Sequence, residues 1–367
     1  MAKVQGNKRA VIFAGGVGTR MWPLSRKNTP KQFEKIIGSQ STLQLAVERI
    51  EPVFGPENIY VSTGKQYVRI VRDQLPHVPG RNIIGEPEMR DVAPAVGYLM
   101  AILAKDDPDS PVAILWSDHL MEYVEVFRKI LRVGCEYIME HKQKFLLIGQ
   151  KPRFASQNLG WIESGKPLEK INGFQVYEFK SWHYRPSLEK AKEYFKQKNY
   201  SWNPGYFIVT PGFALQQFKK HLPQMYEGLV KLQASYGTKR HTDDLQSIYP
   251  AFEKNSFDNA IMEKIDTSEA VVVTSDLGWS DIGAWEALKE VLQKKAGENV
   301  VRGNVILRNT NDSLVYSYTN QLVTAIDLEG IVIVVTEDAI LVCPQESIPE
   351  VKKQVKEFEG TDFEKFS

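Results

Sequence analysis

Cysteine is nearly absent. The 367 residues hold two, Cys135 and Cys343, far apart in sequence. That excludes a disulfide framework and any zinc-ligand spacing; two buried, reduced thiols are expected, as in a reducing compartment. Long apolar runs are missing too, and none reaches the ~20 residues needed to cross a bilayer. The opening stretch MAKVQGNKRAVIFAGG lacks the apolar core of a signal peptide. A cytoplasmic location with no membrane contact is the expectation. Nor is there an excess of either charge. Lys and Arg total 46 against 45 Asp and Glu, a net charge of +1, so no global field would gather nucleic acid or an anionic membrane. The six histidines enter no Ser-His-Asp or Cys-His spacing, which leaves nucleophilic catalysis without a candidate. His77 and His221 read as isolated surface residues.

What is present is concentrated early. Residues 11–33 read VIFAGGVGTRMWPLSRKNTPKQF. A buried-strand run, Val11 to Ala14, breaks into Gly15-Gly16-Val17-Gly18 and continues with Thr19, Arg20 and Lys31. Bare backbone can approach a phosphate closely and turn its N–H groups toward it. A helix start after the loop would add positive field, and Arg20 and Lys31 can neutralise a polyphosphate. The better-known glycine motifs do not fit. No Gly-Lys-Ser/Thr follows, and the third glycine of G-x-G-x-x-G would fall at Met21. On the loop alone, a tight strand-to-helix turn reads equally well.

Downstream, strands and helices alternate. Ser41-Thr42-Leu43-Gln44 is a capping box opening a helix that Pro52 and Gly55 end. Strands are expected at 58–63, 82–85, 112–116 and 145–148, with helices at 65–75, 95–105 and 124–141. This pattern implies a mostly parallel sheet, whose ligands bind at the carboxyl ends of its strands. Residues 15–20 and 117–119 both follow strands directly and should share that edge. From 151 to 211 the pattern turns to antiparallel strands, 160–163 and 174–182, a helix at 187–198, and an aromatic strand from 202. Helices at 213–221 and 243–252, a strand at 271–274 and a helix ending near 293 follow. Residues 294–299 read as a linker, 300–342 as short β runs, and 350–366 as a charged tail that could form a helix packed on them.

The full string is more specific than the loop. GGVGTRMWPLSR followed by PKQF resembles the signature of sugar-1-phosphate nucleotidyltransferases, roughly GGxGTRxxPLTxxxPKP. Within them it is most similar to the mannose-1-phosphate guanylyltransferases. The resemblance covers residues 11–342, with motifs in order. It implies an α/β, GT-A/Rossmann-like nucleotidyltransferase domain with a mostly parallel mixed sheet, plus a small C-terminal β domain like a short left-handed β-helix. The boundaries expected are 1–294, with a sugar-side insertion at 151–211, and 295–367. The activity implied is GTP plus α-D-mannose 1-phosphate giving GDP-mannose and pyrophosphate, with Mg²⁺ and no nucleic acid; a homodimer is possible. Two alternatives stay open, namely another hexose 1-phosphate or nucleotide, and a regulatory homologue that binds nucleotide sugar without turnover. No sequence of the kind bifunctional relatives use as a phosphomannose isomerase follows, so a single activity is expected.

The same resemblance assigns residues. Gly15, Gly16, Gly18, Thr19, Arg20 and Lys31 would bind the nucleotide phosphates. Asp118, in WSDH, either caps the next helix or holds metal; its likeness to the family's PADH implies metal. Asp281, in GWSDIGAW, has the same two readings, and the family's GWSDxGxW implies the second ligand, beside the sugar phosphate. Ala93 and Pro94, in EMRDVAPA, match a base-contacting loop often written RNTAPA, with Asp91 and Val92 in place of Asn and Thr. On the sugar side stand Asn158, Gly160 and Trp161, then Arg185, then Asn203. Asn158 replaces a usual glycine and would take left-handed geometry. Tyr184-Arg185-Pro186 departs from the family's Glu-Lys-Pro, so one hydroxyl-binding carboxylate has no counterpart.

Overall fold

Five consecutive buried residues make β1 (Arg9–Phe13), and its neighbours explain why all five are apolar or paired. The computed structural model describes residues 8–16 and 18–367. The opening residues behind the signal-peptide reading, and Val17 of the glycine loop, lie outside the described residues. The chain divides into two compact units, one of residues up to 15, 46–117 and 121–279, the other of 16–45, 118–120 and 280–367.

The first unit holds a nine-stranded sheet. Its strands are β1, β2 (Ile59–Gly64), β3 (Ile83–Glu86), β4 (Val112–Trp116), β5 (Phe145–Gln150), β6 (Gly160–Ile171), β7 (Phe174–His183), β8 (Tyr200–Val209) and β9 (Ala270–Ser275). The order is β3-β2-β1-β4-β8-β5-β9-β7-β6. β1 to β4 pair in parallel, and Arg9 to Phe13 lie opposite Val112 to Trp116, so the chain leaves β1 and β4 at one edge as expected. The sheet is mixed because β8 enters antiparallel between β4 and β5. β6 and β7 form a long hairpin closed by Asn172 and Gly173, both at positive φ (48° and 92°), the geometry a two-residue turn between twisted strands requires.

Around this sheet the helices are α2 (Val68–Gln74), α3 (Val92–Asp106), α4 (Val124–Glu140), α5 (Leu188–Lys196), α6 (Pro211–His221), α7 (Pro223–Ser235) and α8 (His241–Ile248). None of the helices expected from sequence covers α7. It starts at a proline and buries Met225, Leu229 and Leu232 at helical spacing. Phe145, Phe207, Phe213, Phe218 and Phe257 share one core with α3, and the Phe207 and Phe257 rings stack 5.1 Å apart. His221 is half-buried, with its Nε2 unpaired, and so differs from the surface residue expected. Cys135 is buried, and burial pushes its thiol up to about 12. Among the described residues no helix is long and apolar enough to cross a membrane.

The second unit is built on two small sheets. β10 (Val300–Arg302), β12 (Leu314–Ser317) and β14 (Ile331–Val335) run parallel, with β15 (Ile340–Pro344) antiparallel at the edge; β11 (Val305–Arg308) and β13 (Val323–Ile326) form a second parallel pair. Strands that alternate between two parallel sheets describe a coil. Its interior is Val315, Ala325, Ile333 and Val335. The opposite faces of β12 and β14, through Leu314, Val332 and Val334, pack with Met21, Leu24 and Ile36 and with α9 (Trp285–Leu292). The segment that follows the glycines is thus held by the C-terminal strands. Ser41 and Gln44 make the reciprocal bonds of the capping box, 3.0 and 3.2 Å, at the start of α1 (Thr42–Phe54).

Candidate active site

Thr19–Met21 forms a single 3-10 turn where the sequence predicts a helix start. Three residues align too few peptides for a useful dipole, so positive charge must come from side chains. Gly15 is exposed, Gly16 and Thr19 are half-buried, and the Gly16 carbonyl accepts from Gln32 Nε2 at 3.1 Å. Gln32, almost fully buried, is absent from the residues expected here; its place beside Lys31 in PKQF was the only signal.

Lys31 is the hub. Its Nζ stands 2.8 Å from Asp118 Oδ2 and donates to the Ile282 carbonyl at 3.0 Å, while its own N–H donates to Ser25 Oγ at 2.9 Å. Gly18 lies under its stem. A Cβ on Gly18 would stand 2.8 Å from Lys31 Cγ, and the residue has φ 64°, so both contact and backbone demand glycine. Arg20 is exposed, and its guanidinium crosses Gly283. A Cβ there would stand 2.9 Å from Arg20 Nη2 and 3.5 Å from Asp281 Oδ2. Arg20 and Asp281 therefore converge above one bare backbone position.

The two expected carboxylates cap no helix. α4 is preceded by Tyr123 and α9 by Ala284. Burial would raise the Asp118 carboxyl, but the Lys31 ammonium and His119 outweigh it and hold the group below its ordinary value. Asp118 is an ionised oxygen donor. Asp281 precedes Ile282, a β-branched residue at φ 25° whose side chain is fully buried. Such a conformation is costly and persists only where surroundings impose it. Here the buried side chain and the Lys31 bond to its carbonyl do so. Glu286, in the first turn of α9, was not foreseen. Its Oε2 is buried without a hydrogen-bond partner; burial raises its carboxyl, Arg20 lowers it and Asp281 raises it.

Among the described residues no three His, Cys, Asp or Glu side chains converge as a ready metal cage. Two carboxylates on segments that Lys31 ties together suit a hard divalent cation whose remaining ligands come from phosphate oxygens and water. That donor chemistry fits magnesium.

In the first unit the expected base and sugar residues fall in three places. Asp91 has φ 70° and caps α3, its side chain accepting from the Val92 N–H at 2.8 Å. Ala93 and Pro94 are buried in the first turn, and the Ala93 N–H already donates to the Asn255 carbonyl at 3.0 Å. Glu86 ends β3, buried, accepting from Ser62 Oγ at 2.8 Å and Tyr249 OH at 2.7 Å; burial raises its carboxyl even so. It too was not foreseen, although a carboxylate closing an apolar strand was visible. Asn203 Oδ1 accepts from the Gly205 N–H at 2.8 Å, and Gly160 pairs with Asn203 across β6 and β8. Trp116 donates its indole N–H to the Gly205 carbonyl at 3.1 Å. Trp161 is fully buried, its indole bonded to the Ser156 carbonyl at 2.9 Å, so its side chain is core. Asn158 is exposed and is not at positive φ, contrary to expectation; Arg185 is, at 44°, with its guanidinium 5.2 Å from the centre of the Tyr184 ring.

A family model described as nucleotidyl transferase matches residues 9–298. The chain belongs to the nucleotidyl transferase family. A second model, described as a MannoseP isomerase/GMP-like beta-helix domain, matches residues 303–358 of this nucleotidyl transferase. An Escherichia coli protein named mannose-1-phosphate guanylyltransferase is 32% identical over 94% of the chain and 74% of its own length. The Pseudomonas aeruginosa alginate biosynthesis protein AlgA is 32% identical over 95% of the chain and 72% of its own. A crystal structure from Thermus thermophilus, described as a mannose-1-phosphate geranyltransferase, is 29% identical, with a TM-score of 0.85 over 96% of this chain and 100% of that one. The family typically uses a divalent metal.

Proposed function

We propose that the chain transfers GMP from GTP to α-D-mannose 1-phosphate, releasing GDP-mannose and pyrophosphate. The observation that carries this reading is Lys31, which bonds both Asp118 and the residue after Asp281. The relatives' names supply the substrates. A phosphate oxygen of the sugar phosphate attacks the α-phosphorus in line, and the bond to the bridging oxygen of the leaving pyrophosphate breaks. That nucleophile is already an anion, so no general base is needed, and positioning and charge neutralisation supply the rate.

Gly15, Gly16, Gly18 and Thr19 present backbone to the phosphates, while Arg20 and Lys31 neutralise the α-phosphate and the departing charge. Asp118 and Asp281 would hold magnesium, which when bound supplies further neutralisation there. Ala93 and Pro94 flank the base; Asn158, Gly160, the Trp161 backbone, Arg185 and Asn203 bind the sugar phosphate. Free thiols at Cys135 and Cys343 agree with a cytoplasmic site for this chemistry.

Pyrophosphate release from GTP and mannose 1-phosphate tests the reading. Wild type should turn over, and Asp118→Ala should lose about 10³-fold or more. Turnover by neither would overturn it. One observation favours a second sugar, since Arg185 takes a left-handed backbone beside an exposed Tyr184 where the family has Lys and Glu. Screening hexose 1-phosphates against GTP decides between them.

A further inference from the structure

We infer that residues 348–366 form a positioning strap for the phosphate loop, gripping it between Arg20 and Lys31 and so setting its affinity for phosphate ligands. This rests on the nucleotide reading given above for that loop. α10 (Ile348–Lys356) buries Val351 and Val355 against Trp22, and the Phe358 and Trp22 rings meet edge to face with their centres 5.7 Å apart. The Trp22 indole N–H donates to the Phe366 carbonyl at 2.7 Å, across 344 positions of sequence. The Lys27 N–H donates to the Ser367 carbonyl at 3.3 Å, and Lys27 Nζ lies 3.2 Å from Glu359. From the other side, Trp285 donates its indole N–H to the Trp22 carbonyl at 2.9 Å.

Every one of these contacts falls on residues 22–27, and none touches the Arg20 guanidinium or the Lys31 ammonium. α10 also packs on the coil, through Ile348 with Val332 and Val334 and through Val351 and Val355 with Leu341. The hydrogen bonds and the ring contact of the segment, however, fall on the short turn whose backbone places both cations. The strap therefore acts through backbone position, and a small displacement of charged groups is felt strongly at a reacting phosphate.

The test is a double-mutant cycle in the full chain with Trp22→Phe, which removes the indole N–H, and Phe358→Leu, which removes the aromatic edge. Leu322→Ala, at an exposed position on the coil, is the control. Each loop or strap variant should weaken GTP and pyrophosphate binding about fivefold, the size of one lost hydrogen bond. Mannose 1-phosphate binding should hold, and amide exchange across 18–33 should quicken. The double variant should lose less than the product of the singles, because both act on one contact. Unchanged affinity, unchanged exchange, fully additive losses, or equal weakening of all three ligands would each overturn the strap. Failure of wild type to bind GTP would instead remove the nucleotide reading, and the exchange rates would still judge the strap.

Discussion

Arg20 and Lys31 each cross a glycine, and that sets the first test. In Gly283→Ala the new methyl presses only on the end of the flexible Arg20 side chain and meets Asp281 Oδ2 at an ordinary contact distance. Thermal unfolding should change by no more than about 0.5 kcal/mol, while kcat/KM falls about 10²-fold because the guanidinium is displaced. Equal loss of stability and activity would show that Gly283 serves packing instead. Lys31→Met has a signed consequence. With the ammonium gone, burial dominates at Asp118 and its carboxyl rises. The acidic limb of the pH–rate profile should therefore move to higher pH, and kcat/KM should fall about 10²–10³-fold. At this scale the sequence singled out Arg20, Lys31, Asp118 and Asp281 because each stands in a long string of fixed residue types, and the structure gathers them around Lys31 and Gly283. The burial of Gln32, Glu86 and the Glu286 Oε2 had no signal in the sequence, because a polar group's burial depends on which distant segments cover it. The Trp161 side chain, a conspicuous aromatic beside a glycine, is core, which leaves only its backbone for the sugar-side role proposed above.

A short π-helical turn, Asp258–Met262, carries a pH dependence of its own. Burial, then the like charges of Glu263 and Asp91, push the Asp258 carboxyl up to about 6 from an ordinary 3.8. The native state thus takes up a proton that the unfolded chain would release. The stability linked to this proton is complete below about pH 4 and is lost as pH rises through about 6. A shift of roughly two units corresponds to about 3 kcal/mol. Asp258→Asn should therefore unfold at higher urea than wild type at pH 8, and the two should coincide near pH 4; a constant difference would discard the assignment. Elements with a strong local signal were legible: β4 from an apolar run, α5 from its amphipathic pattern, and the β6–β7 hairpin from its Gly turn. α7 was not, because its pattern begins straight after α6 with no loop to separate them. The helix expected after the glycines gave way to a 3-10 turn because Pro23 follows so closely that no longer helix can form.

At the scale of the whole chain, motif order made the nucleotidyl transferase stretch legible and the Gly- and Asn-punctuated β runs made a small β domain legible, while its coiled form came only from the family resemblance. What the order of residues hides is which distant segments meet, since periodicity reports a face and not its partner. Lys31 finds the Ile282 carbonyl across 251 positions. At about 5–20 residues per second, a ribosome needs on the order of 10–50 s to make that intervening length. During this interval the glycine loop exists without the groups that shape it. Arrested nascent chains probed by limited proteolysis should show β1 to β5 protected while residues 18–33 are still cut. Protection there should come only once residues 280–367 have emerged. A loop encoded far ahead of the carbonyl that holds Lys31 takes its final shape only after most of the sheet is made, so a chain arrested short of residue 282 would carry the glycines without the bond that fixes Lys31.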